Sequence, residues 1–155
     1  MDQKVRNTSF GDYQTPHEDL REWLGRVEDI GELKTIKGVD WNLEMGAVAE
    51  MIYHAKPTNP PALLFEEIPG YPKDFKVLSG MTNSAGRLAV TLGFEKPDGA
   101  MDVVQSYRDR LKDFELHEAE HVKTGPILEN IDRDQEVDLF KFPVPFLHEE
   151  DGGRY

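Results

Sequence analysis

Cysteine is absent from the 155 residues, which excludes disulfides, thiolate-bound zinc and thiol nucleophiles and fits a reducing compartment. Positive charge is scarce: 18 Lys and Arg stand against 30 Asp and Glu, a formal charge of −12 spread along the chain. Neutralising phosphates takes a surplus of Lys and Arg, so no nucleic-acid partner is expected. An acidic exterior of this kind favours solubility. No apolar run approaches the roughly 18 residues of a membrane span, and Met1 to Gln14 is polar rather than signal-like. The expectation is a soluble cytoplasmic protein with no membrane partner. Also missing are G-x-G-x-x-G and G-x-x-x-x-G-K-[ST], so neither a Rossmann fingerprint nor a P-loop is supported. Ser9, Ser79, Ser84 and Ser106 all lack G-x-S-x-G surroundings and read as caps and turns.

What is present begins with a loose lead-in over residues 1–14. Thr15, Pro16, His17 and Glu18 spell a T-x-x-E capping box with proline at the first helical position. Leu20, Trp23, Leu24, Val27 and Ile30 then recur at helical spacing, and Gly31 supplies a left-handed stop. Glu32 to Ile36 reads as a short strand. Asp40 or Asn42 caps a second helix, whose apolar face is Met45, Val48, Ala49 and Ile52 and which ends before Lys56-Pro57.

Pro61 to Phe65 is an apolar run suited to a buried strand, and Phe75 to Leu78 is its neighbour beyond the Pro69-Gly70-Tyr71-Pro72 turn. Asn83 or Ser84 opens a helix through Leu88 and Leu92, broken between Gly93 and Gly99. Helical spacing resumes from Met101 to about Phe114. The mixture predicts a small α/β (α+β) domain over residues 15–115. Residues 116–155 differ in texture: Ile127-Leu128, Val137 to Phe142 and Pro143-Val144-Pro145 read as extended or strand-like, and Asp151 to Tyr155 as a turn entering a new strand.

His117-Glu118-Ala119-Glu120-His121 matches H-E-x-x-H, which on a helix sets two imidazoles on one face around zinc with the glutamate as general base. Catalytic zinc normally takes a third protein ligand, and neither Glu136 nor His148 is fixed near this segment, which runs into Lys123, Thr124, Gly125 and Pro126. An exposed acidic linker with two solvated histidines is the simpler reading. His148, Glu149, Glu150 and Asp151, ahead of Gly152-Gly153, likewise read as a solvated turn rather than a closed metal site or an anion nest. Trp23 falls on the core stripe of the first helix, whereas Trp41, beside a helix start, is left undecided between packing and binding.

Two stretches resemble the opening of UbiD-type decarboxylases. The first, Asp19 to about Phe94, contains D-L-R-E-W-L-G-R-V-E-D-I-G-E-L-K-T-I, V-D-W-N-L-E-M-G-A-V-A-E-M-I, P-A-L-L-F-E-E-I-P-G-Y-P and F-K-V-L-S-G-M. The second, Glu129 to Tyr155, contains V-D-L-F-K-F-P-V-P and H-E-E-D-G-G-R-Y. The resemblance implies an N-terminal α/β domain, then a split β-barrel holding prenylated FMN, then a C-terminal oligomerisation domain. Residues 116–155 become a linker and the entry strands of the incomplete barrel. The implied reaction is reversible removal of CO2 from an α,β-unsaturated or aromatic carboxylic acid. Prenylated FMN serves there as electron sink, and a divalent metal, usually manganese, joins its phosphate to the protein.

The family's catalytic, flavin and metal motifs have no counterpart in residues 1–155, so the resemblance assigns no catalytic, cofactor-binding or metal residue here. The chain alone is therefore expected to be inactive and to bind no cofactor. Its expected partners are the remainder of the decarboxylase chain or a larger catalytic subunit, and further copies of itself when intact. A noncatalytic subunit of a split decarboxylase and a zinc hydrolase using His117, Glu118 and His121 are the alternatives.

Overall fold

The computed structural model describes residues 16–112, 118–119 and 121–154. Helix α1 spans Leu20–Asp29, strand β1 Leu33–Lys37, α2 Glu44–Ala55, β2 Ala62–Glu66, β3 Val77–Ser79, α3 Ala85–Leu92 and α4 Ala100–Lys112. Strand β2 is central, parallel to β1 with Thr35 opposite Leu64, and antiparallel to β3 with Leu64 opposite Leu78. Parallel neighbours require a crossover, and α2 supplies it.

Both faces of β2 are covered, which explains why Ala62, Leu63, Leu64 and Phe65 run apolar without alternation. Ala62 joins Trp23 and Val27 of α1 in one cluster, while Leu63 and Phe65 join Met45 of α2 and Ile68 in the other. Trp23 is buried as expected, and its indole N–H donates to Thr91 Oγ1 at 2.9 Å, so α1 is tied to α3. Left-handed glycines stop α1 and α3: Gly31 at φ 72° and Gly93 at φ 66°.

Two caps differ from expectation. The box at Thr15–Glu18 does not start α1; Thr15 lies outside the described residues, and the N-cap is Asp19, whose Oδ1 accepts the N–H groups of Arg21 and Glu22 at 2.8 and 2.9 Å. The Glu22 carboxylate reaches back to the Glu18 N–H at 2.7 Å, so the same reciprocal logic operates four residues later. An ionised Asp is favoured at the positive end of a helix.

Neither Asp40 nor Asn42 caps α2. Its N-cap is Leu43 at φ 67°, with no side-chain cap bond; Glu44 instead accepts from the Asp40 N–H, and Asp40 Oδ1 from the Asn42 N–H. The Leu43 N–H donates at 2.8 Å to the carbonyl of Phe146, a partner about a hundred residues away that no local rule identifies.

The reading of Val137 to Phe142 as a strand is corrected. Three single 3-10 turns, Pro126–Leu128, Asp134–Glu136 and Leu139–Lys141, punctuate an otherwise irregular run. Asp138 sets the last of them by accepting the Phe140 N–H at 2.8 Å. Among the described residues beyond α4, β pairing is confined to one parallel bridge, Asn42 with Phe146. Tyr155, where a new strand was expected, lies outside the described residues.

Candidate functional site

Three features carry polar or accessible structure that a function can use. The first is Arg87 on α3, a fully buried guanidinium. It donates to the carbonyls of Gly80 at 3.0 Å and Pro60 at 2.7 Å, to the Glu32 carboxylate at 2.8 Å, and to Asn83 Oδ1. Ser84 caps the same helix by accepting the Arg87 N–H at 3.0 Å and donates to Glu32. Burial pushes the guanidinium down from its usual range, and the Glu32 carboxylate works in the other direction. With every observed contact internal, Arg87 joins α3 to the starts of β1 and β2; it is a structural tie, not a reactive group.

The second is a groove of about 700 Å³ between α3 and α4, lined by Ser84, Leu88, Leu92, Val103, Val104 and Tyr107. A smaller depression of about 470 Å³ beside it carries Glu95, Asp98 and Asp102 against the single cation Lys96. The first is mainly apolar, with Thr82, Asn83, Ser84 and Arg108 also on its lining, and the second, mostly anionic, does not suit a flavin phosphate. Among the described residues no three His, Asp or Glu side chains gather as metal ligands. Among the described residues, then, no ligand set fits the family's metal, and no chemical step is derived through the metal or prenylated FMN.

The third is the docking of residues 140–154 on the α/β domain. Phe146 donates its N–H to the Trp41 carbonyl at 2.9 Å and accepts from Leu43, so a short length of chain pairs beside the start of α2. Gly46 is buried there because a Cβ would overlap the Leu147 carbonyl. A turn at His148–Asp151, closed by the Asp151 N–H to the His148 carbonyl at 3.1 Å and the His148 N–H to Asp151 Oδ2 at 3.0 Å, sends the chain back. Arg154 then returns over the Trp41 ring, 3.9 Å from its centroid.

Of the motifs singled out in the sequence, Glu118 and His121 are exposed, while His117 and Glu120 lie outside the described residues. Ser84 is a cap as read, and Ser79 at the end of β3 meets the Tyr53 hydroxyl at 3.1 Å. Trp41 is resolved: it packs beside the Met45 cluster and presents its ring to Arg154. Arg87 and Arg154 were not singled out. An arginine among Ala, Leu and Val at helical spacing was the available signal for the first; nothing local marks the second.

Residues 24–107, just over half of the chain, match the family model for the N-terminal domain of 3-octaprenyl-4-hydroxybenzoate carboxy-lyase, UbiD. The chain belongs to the UbiD family. Pyrrole-2-carboxylic acid decarboxylase of Pseudomonas aeruginosa is 32% identical over 145 residues, an alignment covering 88% of this chain and 28% of that protein. The vanillic acid decarboxylase of Sedimentibacter hydroxybenzoicus is similar in structure. Its closed form gives a TM-score of 0.74 at 29% identity, and its open form 0.74 at 28%, each covering 89% of this chain and 29% of that one. The UbiD-family chain thus spans less than a third of the length of these relatives. Its relatives are decarboxylases, and the mixed α+β fold expected from the sequence is the one observed. Among the described residues no helix is long and apolar enough to cross a membrane.

Proposed function

We propose that the chain is the N-terminal part of a UbiD-type decarboxylase that removes CO2, reversibly, from an aromatic or α,β-unsaturated carboxylic acid with prenylated FMN and a divalent metal, manganese by family resemblance. The observation that carries this reading is the family match over residues 24–107, together with two relatives whose names specify aromatic acids. In this reading residues 15–115 form a noncatalytic α/β domain, and residues 116–155 lead into the flavin-binding barrel. In this reading the domain's contribution is to carry and orient the part that does the chemistry. The intact enzyme is a cytoplasmic homo-oligomer. The test is CO2 release by the intact protein, loaded with prenylated FMN and manganese, from a panel of pyrrole, phenolic and cinnamic acids. Turnover of at least one acid that disappears without the flavin supports the reading; a loaded enzyme that leaves the whole panel untouched contradicts it. Continuation of the coding frame into a barrel, rather than a separate gene for it, distinguishes one long chain from a split complex.

A further inference from the structure

We infer that residues 140–154 form a strap that opens and closes on the folded α/β domain as a separate unit, with Arg154 as its clasp. Two sets of observations lead there. The first concerns what holds the domain together. Both buried clusters, and the partly buried side chains around them, are built from residues of α1 through α3 and the sheet; no strap residue enters either. Among the described residues beyond α4, Pro143 alone is buried, while Leu139, Phe140 and Leu147 remain exposed. The side chains of the domain core thus all come from outside the strap. Elements with few buried apolar contacts open at lower free energy than the core.

The second concerns what holds the strap down. Two backbone hydrogen bonds attach Phe146 to Trp41 and Leu43, and Phe75 meets Phe142 edge to face at 5.8 Å. The Leu147 carbonyl also abuts Gly46, and Pro143 is buried; the remaining polar contacts converge on Arg154. Its Nε donates to the Val144 carbonyl at 2.8 Å, and Nη2 to the Phe142 carbonyl at 3.1 Å and the Tyr71 hydroxyl. The Tyr71 hydroxyl in turn donates to the Phe140 carbonyl at 3.2 Å. The guanidinium carbon sits over the Trp41 ring at 3.9 Å and stands 5.1 and 5.9 Å from the ring centroids of Phe140 and Tyr71. One side chain therefore ties both limbs of the strap to two aromatic residues of the domain. A planar fork with several donors and a face that stacks is needed, and lysine has neither.

Hydrogen exchange on the 155-residue chain tests this. The N–H groups of Leu43 and Phe146 report strap docking, and those of β2 report the domain. In Arg154→Ala the two reporter amides, Leu43 of the domain and Phe146 of the strap, exchange about tenfold faster or more, while β2 keeps its protection. Arg154→Lys, with charge retained but no plane or fork, shows most of the same increase. Unchanged exchange at Leu43 and Phe146 in Arg154→Ala overturns the inference. So does an increase that β2 shares to the same extent, or complete protection by lysine.

Discussion

The Arg154 guanidinium carbon lies over the Trp41 ring, 3.9 Å from its centroid, and this contact joins the last described residue of the chain to the entrance of α2. Trp41 is only partly buried, so its emission reports the pair. Removing the guanidinium with Arg154→Ala is expected to increase acrylamide quenching of Trp41, with Trp23 replaced by Phe in both proteins to leave one emitter. Equal quenching with and without Arg154 would place Trp41 elsewhere.

Gly46 offers a test from the opposite side of the same junction. The Leu147 carbonyl occupies the space that a Cβ would take, so Gly46→Ala forces the strap outward or shifts α2. The expected cost is about 1–3 kcal/mol, as for other overpacked sites. Thermal unfolding together with exchange at Leu43 checks it.

Arg87 makes a stronger prediction for the domain itself. Arg87→Ala leaves the carbonyls of Gly80 and Pro60 without the guanidinium donor and the Glu32 carboxylate without its cation, with only the Ser84 hydroxyl still donating to it. Breaking a buried ion pair of this type costs about 3–5 kcal/mol. The urea midpoint falls accordingly, and Arg87→Lys recovers little because one ammonium does not span three separated acceptors.

Acid stability depends on the start of α1. The Glu22 N–H bond holds the Asp19 carboxyl below its ordinary value, and the Glu18 N–H, then Arg26, do the same for Glu22. A carboxyl with a lower pKa folded than unfolded contributes stability that is complete above the unfolded value and is lost as pH falls through the folded one. Melting temperature is therefore expected to drop as pH falls below about 4, and Asp19→Asn to flatten that slope without moving its direction. Melts from neutral to acid pH measure it.

The helices and strands were legible because their signals are local: Leu20, Trp23, Val27 at helical spacing, Gly31 and Gly93 as stops, and Ala62 to Phe65 as a run covered on both faces. The cap of α2 was not, because Leu43 takes its partner from Phe146. Val137 to Phe142 looked like a strand by composition, yet Asp138 accepts the Phe140 N–H and closes a turn instead. The Arg154 clasp escaped for the same physical reason as the α2 cap: its meaning lies in Trp41 and Tyr71, far away in sequence. Family membership was legible from ordered segments; reactive chemistry was not, since the described residues hold no cluster to carry it.

The most direct test of the central claim is flavin absorbance after gel filtration, with the intact protein and residues 1–155 each incubated with prenylated FMN and manganese. The account predicts stoichiometric flavin eluting with the intact protein and none with residues 1–155. Flavin retained by residues 1–155, or absent from the intact protein, would contradict it.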